Sequence, residues 1–211
     1  MRVIVTRPRA QADELARRIE ALGHEVVLCP VTAIEPLGDE PVDPSGYDWL
    51  VVTSPNGANE LARRLTAKPT HVAAIGPGTA ATLRSHGIEP TLVPRVSTQE
   101  GLLADLPRPA GRVLFAGAEG ARRVLVEELG ADLLPLYRTV DLVPEELPSG
   151  DIVVLASASA ARAWSRLGIG VPAISIGPQT TKAAHEAGIE VALEADPHDM
   201  EGLVEALRRL G

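Results

Sequence analysis

Aromatic side chains make up only 2% of this 211-residue chain, so the stacking platforms that usually hold single-stranded nucleic acid are missing. Cysteine occurs once: Cys29 has no partner for an internal disulfide and no metal-ligand spacing around it, and it reads as a buried structural thiol. Positive charge is outweighed, with 20 Lys and Arg against 28 Asp and Glu for a formal net charge of −8. That balance argues against a general electrostatic grip on nucleic acid or on an anionic membrane. No apolar run approaches the roughly 18 residues of a membrane span, and the opening Val3-Ile4-Val5 reads as a strand, not a signal peptide. A cytoplasmic protein is expected. His24, His71, His86, His185 and His198 are scattered, with no close i, i+4 pair and no partnered nucleophile, so surface or packing roles are expected for them.

What is present is ordinary globular composition, 45% hydrophobic and 23% charged, carrying an internal repeat. Ile75-Gly76-Pro77, Thr79 and Gly87-Ile88-Glu89 recur as Ile176-Gly177-Pro178, Thr180 and Gly188-Ile189-Glu190, each at an offset of 101 residues. Glu100-Gly101-Leu102 and Glu201-Gly202-Leu203 keep that offset. The run from Asp48 to Ser54 parallels the run from Asp151 to Ser157 at an offset of 103, and residues 2–30 are echoed more weakly by 112–135. A repeat of this length implies two similar α/β halves, not a short-period solenoid, and the cleft between them is the first place to look for chemistry.

Short β-branched runs alternate with Ala/Leu/Arg-rich segments of helical spacing, such as Leu15, Ile19 and Leu22, or Leu203, Leu207 and Leu210. The strand candidates are 2–6, 25–28, 49–53, 71–75, 91–93, 112–116, 132–135, 151–155, 172–176 and 190–193. Such alternation means parallel sheets covered by helices on both faces. Two proline-bearing stretches, 31–46 and 137–150, interrupt it directly after corresponding units, which makes them crossing points between domains. The expected division is a discontinuous domain of 1–34 with 143–211 and an inserted domain of 38–136, with connectors near 31–37 and 137–143. Plain tandem halves breaking near 108 are the alternative.

The junctions after the strands carry the informative polar residues. Ser54-Pro55, Gly76-Pro77 and Gly177-Pro178 each set a capping residue before a proline suited to the first helical position. In a parallel α/β sheet these helix starts gather at the strands' C-terminal edge, where ligands commonly bind, and their unpaired amides favour anions. Thr6, Arg7, Ser54, Asn56, Thr79, Ser157 and Thr180 fall near such edges as ligand candidates, although each also suits a plain capping role. Gly76 and Gly78 do not form a dinucleotide fingerprint, because Ala81 stands where the third glycine belongs.

In order along the chain, Val5-Thr6-Arg7-Pro8, Thr53-Ser54-Pro55-Asn56, both Ile-Gly-Pro-x-Thr elements, Pro135-Leu136-Tyr137-Arg138-Thr139 and Ala156-Ser157-Ala158-Ser159 resemble the uroporphyrinogen-III synthase family. The resemblance implies two similar parallel-sheet α/β domains joined by a two-stranded connector. It further implies cofactor-free cyclisation of the linear tetrapyrrole hydroxymethylbilane, with inversion of ring D, to uroporphyrinogen III and water in haem biosynthesis. No metal is required. Tyr137 matches the family's tyrosine and is the candidate proton donor for the departing hydroxyl; an unperturbed phenol, with a pKa of about 10, is protonated at neutral pH. Its other reading is an amphipathic residue at a domain junction.

The residues implied to contact substrate are Thr6, Arg7, Ser54, Asn56, Gly76, Thr79, Arg138, Ser157, Ser159, Gly177 and Thr180. Arg7, Arg138 and Lys182 could pair with substrate carboxylates or stay solvated. Glu119 stands where many members carry a basic residue, with Arg122 and Arg123 in the next turn. The upstream hydroxymethylbilane-forming enzyme is a candidate partner, nucleic acid and membrane are not, and a monomer is expected. A hinged small-anion binding protein and a catalytically inactive regulatory relative are the competing functions.

Overall fold

A computed structural model describes the backbone of residues 1–211 and the side chains of all but Ala10. The chain divides into two compact units, Met1–Ala33 with Thr139–Gly211, and Ile34–Arg138. The first holds β1 (Arg2–Val5), α1 (Asp13–Glu20) and β2 (Glu25–Leu28). The chain then passes through β3 (Thr32–Pro36) into β4 (Trp49–Val52), α2 (Pro55–Arg64), β5 (His71–Ala74), α3 (Pro77–Ser85), α4 (Gln99–Asp105), β6 (Val113–Ala118), α5 (Val124–Leu129) and β7 (Asp132–Asp141). It returns to the first unit for β8 (Ile152–Leu155), α6 (Ala158–Ser165), β9 (Ala173–Ser175), α7 (Pro178–Glu186), β10 (Val191–Glu194) and α8 (Met200–Leu210). The unit boundaries fall inside β3 and β7.

The first unit's sheet runs β10-β9-β8-β1-β2, and every pair in it is parallel. Its interior strands are continuous apolar runs because both faces are covered. Val3, Val5, Ile152 and Val154 meet Leu15 and Ile19 of α1 and Leu203 and Leu207 of α8 on one face. Ile4, Val153 and Leu155 meet Trp164 of α6 and Ala183 and Ala184 of α7 on the other. The side-chain period of two along a strand divides neighbours between these two cores. Leu210, on the same sequence stripe as Leu203 and Leu207, is instead exposed at the helix end.

The second sheet runs β3-β7-β6-β4-β5, parallel from β7 to β5. Leu50, Val52 and Leu114 pack against Leu61 of α2 and Leu83 of α3, while Val51, Val113 and Phe115 pack against Leu102 of α4 and Leu125 of α5. Its parallel strands reproduce the first sheet with β6 standing for β1, β7 for β2, β4 for β8 and β5 for β9. The counterpart of β10, expected as a strand over 91–93, is reduced to one bridge between Ala73 and Leu92, since Pro90 and Pro94 withhold backbone donors on either side of it.

The stretches read as interruptions also contain regular structure. Residues 32–36 form β3, and β7 continues to Asp141, well past the expected end at 135. Leu37 N–H donates to the Leu136 carbonyl and Leu142 N–H to the Val31 carbonyl, both at 2.8 Å, so the two crossings run antiparallel beside one another. That makes the second sheet mixed where a wholly parallel one was expected. Arg64, 7% exposed, fastens the next stretch to α2 by donating from Nε to the Glu40 carbonyl at 2.7 Å and from Nη1 to the Leu37 carbonyl at 3.2 Å.

Candidate functional site

In each sheet the helices leave for opposite faces at one pair of strands, β1 and β8 in the first and β6 and β4 in the second. Open α/β sheets bind ligands at the strand carboxyl ends near such a reversal. Thr6, Arg7 and Ser157 lie at the first reversal, and Ser54 with residues 117–120 at the second.

In the 34–138 unit, Ser54 has extended backbone and caps α2, its Oγ accepting from Gly57 N–H at 2.9 Å, with Pro55 next in line. The same Oγ stands 2.7 Å from the Tyr137 hydroxyl. Tyr137 sits where the β6–β7 register slips between Gly117 and Ala118, and its carbonyl accepts from Glu119 N–H at 2.8 Å. Its ring joins the core beside Leu136 and Leu50, leaving the residue 6% exposed. Burial pushes its phenol above the ordinary tyrosine range, and the Ser54 hydrogen bond pulls it partly back. Gly76 caps α3 with extended backbone and no side chain, and Thr79 follows in the first turn, 3% exposed. Asn56 is half-buried in the first turn of α2. Arg138 is turned to Glu35, with Nη2 2.8 Å from the carboxylate, and that pairing raises its pKa.

In the other unit Thr6 is fully buried, and its hydroxyl donates to the Val154 carbonyl at 2.7 Å. That bond ties the end of β1 to β8 and occupies the Thr6 hydroxyl's proton with the backbone. Arg7 is half-buried, with its Nη2 3.4 Å from Gln11 Oε1, and burial lowers its pKa. Ser157 caps α6 by accepting from Ala160 N–H at 3.1 Å and meets Ser159 Oγ at 3.0 Å. Gly177 caps α7, and Thr180 in its first turn is 4% exposed. Thr180 N–H bonds to the Gly177 carbonyl at 2.9 Å, but its hydroxyl takes no partner among the described residues. Lys182 lies 3.8 Å from Glu186.

One polar group escaped the sequence reading. Thr181 Oγ1 meets Ser175 Oγ and the Glu194 carboxylate, Glu194 Oε1 lies 3.3 Å from His198 Nε2, and His198 packs against Gly177. The signal was in the repeat: at an offset of 101, Ser175, Thr181 and Glu194 face Ala74, Ala80 and Val93, so one copy is polar where the other is apolar.

A concavity of about 630 Å³ also runs along the β2 edge, lined among others by Leu28, Pro30, Leu142, Glu145, Glu146 and Leu147. Arg2 also lines it beside the two carboxylates, and none of Thr6, Arg7 or Ser157 does. Among the described residues no three His, Cys, Asp or Glu side chains stand close enough to share a metal, and no helix is long and apolar enough to cross a membrane.

Two doubly wound sheets of matching strand order, with helix starts capped by serine or glycine along their carboxyl edges, define a duplicated α/β protein with ligand-binding architecture. The chain belongs to the uroporphyrinogen-III synthase family: the family profile for uroporphyrinogen-III synthase HemD matches residues 13–205. A relative from Methanocaldococcus jannaschii is 32% identical over 157 residues, which cover 70% of this chain and 65% of that protein, so the chain spans just under two thirds of its length. The uroporphyrinogen-III synthase of Synechococcus elongatus is 26% identical over 98% of this chain and 94% of its own. Among solved structures, a mutant uroporphyrinogen III synthase from Thermus thermophilus superposes with a TM-score of 0.69 at 20% identity, covering 99% of this chain and 98% of that one. The synthase of Helicobacter pylori gives 0.67 at 21% identity, covering both chains fully. These two share the fold. The family is one of enzymes of porphyrin biosynthesis acting on a tetrapyrrole.

Proposed function

We propose that the chain cyclises hydroxymethylbilane to uroporphyrinogen III and water, inverting ring D, with Tyr137 donating the proton that lets the substrate hydroxyl depart. The observation that carries this reading is the Tyr137 phenol, its ring buried in the core yet its hydroxyl bonded at the strand ends to the Ser54 cap. Burial keeps the phenol protonated well above neutral pH, which suits a proton donor. Loss of the hydroxyl leaves an azafulvene cation stabilised by its pyrrole nitrogen; the terminal ring carbon attacks it, and cleavage and reclosure of the spiro intermediate invert one ring. The protein's work is to position the chain ends, keep water from the cation and supply one proton.

The substrate's acetate and propionate groups suit the amide-rich starts of α3 and α7, led by Gly76 with Thr79 and by Gly177 with Thr180, and the starts of α2 and α6 at Ser54 with Asn56 and at Ser157 with Ser159. Arg7 adds a positive charge beside Ser157's strand. Cys29, single and buried, suits a reducing compartment, and we assign the reaction to a cytoplasmic monomer fed by the hydroxymethylbilane-forming enzyme.

The test supplies enzymatically generated hydroxymethylbilane and separates the product isomers. Type III product supports the synthase. Only the symmetrical type I isomer, which forms spontaneously, would favour a binding protein or an inactive relative. Tyr137→Phe is expected to slow type III formation by about 10²- to 10⁴-fold, the range for losing a general acid. Its fold should persist, since Ser54 keeps its bond to Gly57. Unchanged turnover would remove the acid role.

A further inference from the structure

We infer that Ser54 is the positioning residue of Tyr137: its hydroxyl fixes the phenol at the strand ends and donates to the phenolate oxygen once the proton has left. This rests on the reading of Tyr137 as proton donor. A serine hydroxyl has one donor and two acceptor sites. Gly57 N–H fills one acceptor site of Ser54 Oγ at 2.9 Å, and the Tyr137 oxygen stands at 2.7 Å. When Tyr137 turns its proton to the substrate, the Ser54 O–H is left to donate to Tyr137, and the bonds run one way: Gly57 N–H to Ser54, Ser54 O–H to Tyr137, Tyr137 O–H to the departing hydroxyl. Donors aligned head to tail polarise one another. Gly57 allows the close approach, for a Cβ there would stand 3.2 Å from Ser54 Oγ and 3.6 Å from the Ala116 carbonyl.

The chemistry balances without another reagent. The Tyr137 proton moves to the substrate hydroxyl oxygen, the C–O bond breaks with its electron pair on that oxygen, and water leaves behind an azafulvene cation and a phenolate. Ring closure later releases a proton from the carbon that forms the new bond, and that proton restores Tyr137.

The sister unit shows what the pairing adds. Ser157 caps α6 as Ser54 caps α2, but its second contact is Ser159 Oγ at 3.0 Å. The first unit contains no tyrosine, since the chain's two are Tyr47 and Tyr137. The serine caps are duplicated; the phenol they could serve is single.

The test uses Tyr47→Phe protein, in which Tyr137 is the sole tyrosine, and follows phenolate absorbance against pH together with kcat and KM for type III product. Losing a bond that favours the phenolate should raise the midpoint by about one pH unit or more in Ser54→Ala, with kcat down about tenfold or more and KM changed less than about threefold. Ser54→Thr should restore both. Ser54→Gly, a substitution that costs a helix cap only a few tenths of a kcal/mol, should behave as Ser54→Ala and guards against loss of the helix start. With Phe at 137, Ser54→Ala should lower kcat no further. An unmoved midpoint in Ser54→Ala and Ser54→Gly, or a full additional loss in the Tyr137→Phe background, overturns the inference even if the donor reading stands. Full turnover by Tyr137→Phe sinks the donor reading itself.

Discussion

Ala in place of Gly202 should destabilise the protein even though alanine is the better helix former. Gly202 lies in the first turn of α8, where its N–H donates to the Asp199 cap at 3.0 Å. A Cβ built on it would stand 1.8 Å from the Pro197 carbonyl oxygen. Ordinary C···O approach is about 3.3 Å or more, so roughly 1.5 Å of backbone movement is required. The atoms in the way, the Pro197 carbonyl and the Asp196 carbonyl carbon, are backbone and not flexible side-chain ends that can swing away. Overpacking on this scale belongs at the upper end of its range, about 3 kcal/mol, and a displaced cap adds about 1 kcal/mol. The helix preference for Ala returns about 1 kcal/mol. The expected net loss of about 3 kcal/mol corresponds, at roughly 2–4 °C per kcal/mol for a chain of this size, to a Tm lowered by about 6–12 °C. Gly101, with its N–H on Thr98 Oγ1 and a built Cβ 2.0 Å from the Val96 carbonyl, should respond the same way. Gly78, in the first turn of α3 with nothing within 4 Å of its Cβ position, is the control. Gly78→Ala should gain about 0.5–1 kcal/mol. Thermal and urea unfolding of the three variants checks the signs. A Gly202→Ala protein that melts at or above the parent would refute the account of the Glu-Gly-Leu repeat as a steric requirement at a helix start.

Thr6→Val keeps the shape and removes the hydroxyl bond to Val154; unfolding should show a loss of about 0.5–1.5 kcal/mol, with KM for hydroxymethylbilane within about twofold of the parent. Thr180→Val should do the opposite. Among the described residues the Thr180 hydroxyl has no partner to lose, so stability should hold within about 0.5 kcal/mol, while KM rises roughly tenfold if the hydroxyl meets a substrate carboxylate. A destabilised Thr180→Val protein with normal KM would return Thr180 to a capping role.

The α/β class was legible because Val3-Ile4-Val5, Leu50-Val51-Val52 and Ile152-Val153-Val154-Leu155 are buried on both faces, and two-faced burial writes itself as an unbroken apolar run. β3 and the far half of β7 have no such cover. Their residues are mostly half-buried or exposed, and Pro36 and Pro135 break the pattern, so nothing local announces strands there. What orders them is pairing with one another, a contact between residues about a hundred positions apart. The same limit governs the site. Ser54-Pro55 and Gly76-Pro77 declare helix starts through local chemistry, but the partner of Ser54 is 83 residues away, and a cap carries no mark of what else its hydroxyl touches. Thr6 illustrates a related limit: a polar residue at the end of a strand looks the same in sequence whether it faces a ligand or, as its hydroxyl does here, bonds to the strand beside it.

Duplication explains why so many candidates come in pairs, and in the proposed reaction only an unpaired group can distinguish the ends of the substrate. A linear tetrapyrrole has one terminus bearing the hydroxyl and one bearing a free ring carbon. Paired elements such as Thr79 and Thr180, or Ser54 and Ser157, offer similar caps in both units and suit carboxylates that are spread along the whole substrate. The departure of one hydroxyl needs a group present once. Tyr137 has no phenolic counterpart in the first unit, and the serine and threonine hydroxyls there lack the acidity of a phenol. The polar group of Thr181, Glu194 and His198 is likewise confined to one unit. Selection acting on a duplicated fold can leave shared backbone amides in place for binding, and needs only a few changed side chains to give the reaction a direction.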